Sequence, residues 1–105
     1  MNVLLDACVP RPLRKFLPDH TVRTAQEMGW GQLKNGALLQ AAEPQFDAFL
    51  TSDQNLKHQQ NIAGLKLAIL VLPTNDWPTL QRMADEIAAK VAALKPGDFV
   101  EMPLE

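Results

Sequence analysis

The feature that most constrains the fold is an unbroken run of six apolar residues at 67–72, Leu-Ala-Ile-Leu-Val-Leu. A strand that is apolar at every position has both faces buried, as in a parallel sheet covered by helices on each side. A shorter apolar stretch at 2–5 has the same character and ends at Asp6. The two runs therefore predict an α/β fold built on a mostly parallel sheet.

Strand-like and helix-like patterns alternate along the rest of the chain. Besides 2–5 and 67–72, strands are predicted at 20–24, 46–51 and 99–102, which makes a sheet of about five strands. Helical patterns are predicted at 10–17, 25–28, 35–43, 54–63 and 78–95. Asn35 is expected to cap the third of them, and the last is a long amphipathic helix that must cover the sheet. This alternation implies helices on both faces.

Length and composition indicate one ordinary globular domain over residues 1–105. Hydrophobic residues make up 47% and charged residues 21%, which argues against a disordered or fibrous chain. The single cysteine, Cys8, allows neither an intramolecular disulfide nor a cysteine-based zinc site, and this suits a reducing compartment. No apolar run approaches the ~20 residues that span a bilayer. We therefore expect a cytoplasmic protein with no membrane association.

Three aspartates follow predicted strands. Asp6 comes directly after the first strand, Asp53 follows Leu50-Thr51-Ser52, and Asp76 follows the apolar run at 67–72. Because parallel strands end at one edge of a sheet, these carboxylates are expected to gather there. A hard cation such as Mg²⁺ or Mn²⁺ relieves the repulsion between clustered carboxylates and binds phosphate oxygens of a substrate. The pattern suggests a metal-dependent phosphodiesterase.

Each aspartate also has a structural interpretation, because aspartate is favoured at helix starts. For Asp76, which lies two residues before Pro78, capping is the preferred interpretation. For Asp53, capping and metal binding stay equally open. Asp6 is separated from the first helix and ends a buried strand, where a charge needs a partner. It is the strongest candidate for a site residue.

Cys8 offers a different chemistry, because a thiol ahead of a helix start can act as a nucleophile. Such a role needs a base, and neither His20 nor His58 has a readable spacing to Cys8. We therefore expect Cys8 to be a small buried residue. Trp30 and Trp77 are expected to anchor loops, because no basic residues are interleaved with them and the net charge of -2 gives no general attraction to nucleic acid.

An ordered set of short motifs runs along the chain: Leu4-Leu5-Asp6 with Val9-Pro10, Val22-Arg23-Thr24, Gly29-Trp30, Asn35-Gly36 and Leu50-Thr51-Ser52-Asp53. In order and spacing, from Asp6 to Leu72, this set resembles the short PIN-like domains of prokaryotic proteins. The order carries the resemblance, because no single motif is highly specific. The resemblance implies a three-layer α/β fold and, in active relatives, metal-dependent cleavage of RNA, often as the toxin of a toxin-antitoxin pair.

The chain departs from the acidic pattern of that family. Where the first strand of the family ends in Asp-Glu-Asn, Ala7 and Cys8 here follow Asp6. Amides stand at two further positions that are commonly acidic, Asn35 at a helix start and Asn55 after the third strand. Neutral amide oxygens attract Mg²⁺ less strongly than carboxylate oxygens do, and they stabilise the charge of a phosphoryl transition state less.

The resemblance therefore implies a weak Mg²⁺ or Mn²⁺ site. Asp6 and Asp53 are the expected catalytic and metal-binding residues. The expected positioning residues, for the cation, its waters or the substrate, are Asn35, Asn55 and Asp76.

Two classes of function follow from these expectations. The first is a metal-dependent endoribonuclease, in which a water activated by the cation attacks the phosphodiester of single-stranded RNA. The second is a catalytically inactive PIN-like module that binds a protein, such as a cognate antitoxin encoded nearby. A thiol enzyme that uses Cys8 is a third class, without a base at a usable spacing. The sequence leaves open whether catalysis survives and whether the chain is a monomer or a homodimer.

Overall fold

A computed structural model of the chain describes residues 1–56 and 64–104, apart from the side chain of Asn35. In this part of the chain one sheet contains the strands β1 Asn2–Leu5, β2 Thr21–Thr24, β3 Ala48–Thr51, β4 Ala68–Val71 and β5 Phe99–Glu101. Their order is β2-β1-β3-β4-β5, and every neighbouring pair is parallel. The predicted α/β class and five-stranded parallel sheet are confirmed. The apolar run forms β4, an interior strand that is buried throughout.

The described helices are the 3-10 helix Arg11–Phe16 and the α-helices α1 Asn35–Ala42, α2 Trp77–Arg82 and α3 Ala84–Ala93. None of them is long and apolar enough to cross a membrane.

Hydrophobic cores lie on both faces of the sheet, because successive strand residues point to opposite sides. Val3 and Leu5 belong to the core that the 3-10 helix, α2 and α3 cover. Leu4, between them, belongs to the core on the other face, where α1 contributes Leu38 and Leu39. The predicted placement of helices on both faces is confirmed.

The first helix has 3-10 rather than α geometry. The N–H of Leu13 donates to the carbonyl of Pro10 at 3.1 Å, and the N–H of Leu17 donates to the carbonyl of Arg14 at 3.1 Å. Pro10 and Pro12 have no N–H, so part of an α-helical ladder is missing at this start. The tighter turn still buries Leu13 and Leu17 against the sheet.

The prediction of one long helix from Pro78 is wrong in one respect, because the observed helix is broken at Met83. Met83 has φ -94° and ψ 6°, and its N–H bonds to the carbonyls of Thr79 and Leu80 at 3.2 and 3.1 Å. The resulting bend keeps Met83 only 1% exposed and brings Leu80 and Ile87 into the same core. The predicted apolar stripe therefore covers the sheet, but on two short helices.

Two predicted element starts are also corrected. Asn35 is the first residue of α1 and not its cap; Lys34 is the N-cap, without a side-chain hydrogen bond. β3 begins at Ala48 and not at residue 46, because the N–H of Phe46 is still bonded to the carbonyl of Ala42 at 2.8 Å. The helix predicted at 54–63 lies largely outside the described residues.

Candidate functional site

The strand order creates a switch point between β1 and β3. From β1 the chain crosses to β2 on one side, and it later returns to β3 on the other side of β1. Crossovers that leave in opposite directions open a crevice at the carboxyl ends of the two strands, where open α/β sheets bind ligands. Asp6 directly follows β1, and Asp53 lies two residues after the end of β3. The topology therefore brings these two predicted site residues to one crevice.

Asp6 accepts hydrogen bonds on both carboxylate oxygens. Its Oδ2 accepts the hydroxyl proton of Thr51 at 2.7 Å, and its Oδ1 accepts the N–H of Ala7 at 2.7 Å. The N–H of Asp6 donates to the carbonyl of Leu50 at 2.9 Å, which extends the pairing of β1 with β3 by one residue. The half-buried carboxylate thus has the polar partner expected for a charge that ends a buried strand.

Thr51 is a site residue that sequence reasoning missed. Its side chain is 1% exposed, and its hydroxyl donates to Asp6 Oδ2 while accepting the N–H of Asp53 at 3.1 Å. One oxygen atom therefore links the two predicted metal-binding aspartates. The sequence feature that could have identified Thr51 is its position at the end of an otherwise apolar strand. A hydroxyl buried there requires a hydrogen-bond partner.

Cys8 is exposed, contrary to its predicted burial. A turn closed by the N–H of Val9 and the carbonyl of Asp6, 3.0 Å apart, leaves Cys8 at the surface while Val9 enters the core. Ser52 Oγ donates to Cys8 Sγ at 3.0 Å, and Cys8 Sγ donates to Asp6 Oδ2 at 3.5 Å. Ser52 is the second residue that sequence reasoning missed. We name the cluster of Asp6, Cys8, Thr51, Ser52 and Asp53 the carboxyl-edge site.

Asp53 uses one carboxylate oxygen locally. Its Oδ1 accepts the N–H of Asn55 at 3.0 Å, which is the geometry of a helix or turn start. The next residue, Gln54, donates from Nε2 to the carbonyl of Leu72 at 2.6 Å and so ties this loop to the end of β4. The local bond supports the capping interpretation of Asp53, and Asn55 is exposed beside it. Metal binding by these two residues stays a prediction.

Asp76 caps α2, as the preferred interpretation predicted. Its Oδ2 accepts the hydroxyl proton of Thr79 at 2.6 Å and the N–H of the same residue at 3.2 Å. These hydrogen bonds, with a smaller contribution from the charge of Arg82, hold the pKa of Asp76 below its ordinary range. The carboxylate of Asp76 is therefore engaged with the first turn of its own helix.

Few charged side chains at this site are available to bind a divalent cation. Asn35 opens α1, but its side chain lies outside what the structure describes, as does all of His58. Across residues 1–56 and 64–104, no group of three or more His, Cys, Asp or Glu side chains could hold a metal ion. The oxygen atoms of Asp6, Thr51 and Ser52 are nevertheless the hard ligands that Mg²⁺ and Mn²⁺ prefer. Cation binding at this site stays a prediction.

Both tryptophans pack against aromatic neighbours. The rings of Trp30 and Phe46 meet edge to face with centroids 6.0 Å apart, and Trp77 lies 6.1 Å from Phe16 in a tilted arrangement. Each tryptophan is partly buried against one of the two cores. These contacts agree with the predicted role in anchoring loops.

A cleft of about 590 Å³ opens at the opposite edge of the sheet. Its lining includes Asn2 and Asp47, at the amino ends of β1 and β3. The basic side chains of Lys66 and Lys95 line it together with the acidic side chains of Asp47 and Glu43. None of the predicted site residues lines this cleft, and the switch-point argument favours the carboxyl edge.

Comparison of the chain with protein-family models, with curated proteins and with solved structures finds no match. The PIN-like resemblance therefore remains a prediction beyond the confirmed α/β fold.

Proposed function

We propose that the chain is a PIN-like, metal-dependent ribonuclease that cleaves single-stranded RNA at the carboxyl-edge site. The observation that carries this proposal is the position of Asp6, a carboxylate at the switch point whose Oδ2 accepts a 2.7 Å hydrogen bond from buried Thr51. An ionised carboxylate has about four lone-pair sites, so Asp6 keeps acceptor capacity for a cation beside its bonds from Thr51, Cys8 and Ala7. Its fixed orientation lowers the cost of ordering the site when a ligand binds.

The expected residues are not equally suited to bind a cation in this structure. Asp6 is the principal ligand for Mg²⁺ or Mn²⁺, with Asp53, Asn55 and Asn35 as further oxygen donors. When bound, the cation would neutralise phosphate charge and lower the pKa of a water. Asp76 is the least suited, because its carboxylate caps α2, whereas that of Asp6 bonds to Thr51 and Cys8 of the carboxyl-edge site. The proposal therefore predicts weak binding that depends chiefly on Asp6.

Mn²⁺ calorimetry combined with a single-stranded RNA cleavage assay tests the proposal. Asp6→Asn should abolish both Mn²⁺ binding and Mn²⁺-dependent cleavage. Asp19→Asn is the matched control, because Asp19 is an exposed aspartate just ahead of β2, at the amino edge of the sheet. It should preserve both readouts. Cleavage that persists in purified Asp6→Asn would defeat the proposal.

A different observation supports a second function. The carboxylates of Asp6, Asp53 and Asp76 each accept a backbone N–H from the segment that follows, so all three acids already serve local structure. On this view the chain is a catalytically inactive PIN-like module whose partner is a protein, such as an antitoxin from an adjacent gene, or a second copy of the chain in a homodimer. Co-expression with the product of a neighbouring small reading frame should then yield a stoichiometric complex. A solitary monomer that cuts RNA would contradict this alternative.

A further inference from the structure

β2 is an edge strand, and the backbone groups on its outer side can be identified. The N–H of Thr21 donates to the carbonyl of Met1 at 3.0 Å, and the N–H of Ala25 donates to the carbonyl of Leu5 at 2.9 Å. In a parallel ladder, alternate residues bond to opposite neighbours. The residues between these two, Val22 and Thr24, therefore turn their N–H and C=O groups away from β1. An open row of such groups is a template on which another strand can pair.

Side chains and a turn cover most of this outer row. Arg14 Nη1 donates to the carbonyl of Val22 at 3.4 Å. Glu27 Oε1 accepts the N–H of Thr24 at 2.8 Å, and the N–H of Met28 donates to the carbonyl of Thr24 at 3.2 Å. A strand that added to β2 would have to displace these bonds.

The two side chains that cover the edge also hold each other. Arg14 Nη1 and Nη2 donate to Glu27 Oε1 and Oε2, each at 3.2 Å, in a two-pronged ion pair. Thr24 Oγ1 accepts the N–H of Glu27 at 3.1 Å, which completes a reciprocal capping arrangement with the bond from the Thr24 N–H. Arg14 comes from the 3-10 helix and Glu27 from the turn after β2, so the cover joins two segments across the strand edge.

We propose that the outer edge of β2 is a strand-pairing surface that Arg14 and Glu27 keep closed, and that removing them lets a second copy of the chain pair with it. A second copy is the fitting partner because, once Arg14 and Glu27 are removed, it presents the same edge, with the β-branched residues Thr21 and Val22 that favour strand pairing. Antiparallel pairing centred on Val22 places Arg23 opposite Thr21 of the second copy and avoids facing two like charges. This proposal is independent of the ribonuclease function.

The test compares the wild-type chain with the double variant Arg14→Met, Glu27→Ala. Multi-angle light scattering over a concentration series should show an apparent mass that at least doubles for the double variant and stays constant for the wild type. The matched control is Lys15→Met, Asp19→Ala, which removes one exposed basic and one exposed acidic residue nearby. It should behave like the wild type. A folded double variant with the wild-type mass would overturn the proposal.

Hydrogen exchange locates the effect on the strand. At low concentration the Thr24 amide should exchange roughly tenfold faster in the double variant than in the wild type. The Thr21 amide, which donates to the carbonyl of Met1, should stay protected in both. At high concentration the Thr24 amide should regain protection, and the Val22 amide should gain it, as copies pair. Association that leaves these two amides unprotected would overturn the proposal.

If the double variant does not fold, Arg14→Met alone provides the test. This variant keeps the reciprocal hydrogen bonds between Thr24 and Glu27 and uncovers the Val22 carbonyl. Its apparent mass should rise above that of the wild type over the same concentration series. A folded Arg14→Met chain with no increase in association would overturn the proposal.

Discussion

The buried hydroxyl of Thr51 donates to the Oδ2 of Asp6 at 2.7 Å, although the two residues are 45 positions apart in the sequence. The bond joins the last residue of β3 to the residue that follows β1, at the switch point of the sheet. It fixes the orientation of the carboxylate on which the proposed function depends. The same hydroxyl accepts the N–H of Asp53 at 3.1 Å, so both strand ends share one polar atom.

Thr51→Val should weaken both the fold and the site. Valine keeps the branched shape but lacks the hydroxyl, so Asp6 loses a donor and the Asp53 N–H loses its acceptor. We expect the free energy of unfolding to fall by about 1 to 3 kcal/mol. Mn²⁺ affinity should fall as well, because Asp6 is no longer held. Thr51→Ser, which keeps the hydroxyl, is the control in urea unfolding and calorimetry; equal Mn²⁺ binding by both variants would exclude a positioning role for Thr51.

Asp76 substitutions should separate helix capping from metal binding. Asp76→Ala removes the acceptor for the Thr79 N–H and hydroxyl, so the urea midpoint should fall. Asp76→Ser retains a capping oxygen but not the charge, and it should preserve most of the midpoint. Because the carboxylate is engaged with α2, we expect Mn²⁺ affinity to stay within about twofold of wild type in Asp76→Ser. Loss of Mn²⁺ binding in that variant would show that Asp76 is a ligand.

Cys8 should be accessible to reagents but dispensable for phosphodiester cleavage. The exposed thiol lies 3.5 Å from Asp6 Oδ2, so alkylation with iodoacetamide should place an adduct beside that carboxylate and block Mn²⁺ binding. Cys8→Ala removes the thiol without adding bulk and should retain most RNA cleavage. Mass spectrometry monitors the alkylation, and the cleavage assay compares the two proteins. If Cys8→Ala is as inactive as the alkylated chain, the thiol-enzyme hypothesis regains support.

Acid should destabilise the fold partly through Glu27. The bond from the Thr24 N–H and the ion pair with Arg14 lower the pKa of Glu27 in the folded chain. A group with a lowered folded pKa stabilises the fold above its unfolded pKa, about 4.3 for glutamate, and loses this contribution as pH falls through the folded value. The urea midpoint should therefore drop below about pH 4. The urea midpoint of Glu27→Gln, whose side chain does not titrate, should fall less with pH than that of Glu86→Gln, a matched change at an exposed glutamate of α3. Equal dependence of the two midpoints on pH would exclude this contribution of Glu27.

Much of the fold could be predicted from local patterns. The runs at 2–5 and 67–72 appear as β1 and β4, because their consecutive apolar residues are stable only with both faces of the strand covered. Asp76 could be assigned as a cap, since capping depends on residues three positions away. The break at Met83 could not be predicted, because the periodicity continues through it and the bend is set by packing against the sheet.

By itself, then, the sequence determined that this protein builds a parallel α/β sheet with aspartates after its strands, because burial and capping are read within a few neighbouring residues. Only the tertiary structure decided which strands are adjacent, and with them the bonds from Thr51 to Asp6 and from Ser52 to Cys8. It likewise decided that Arg14 reaches the edge of β2 and pairs there with Glu27. These contacts join residues far apart along the chain, so they depend on strand order and helix placement, which local side-chain preferences do not specify.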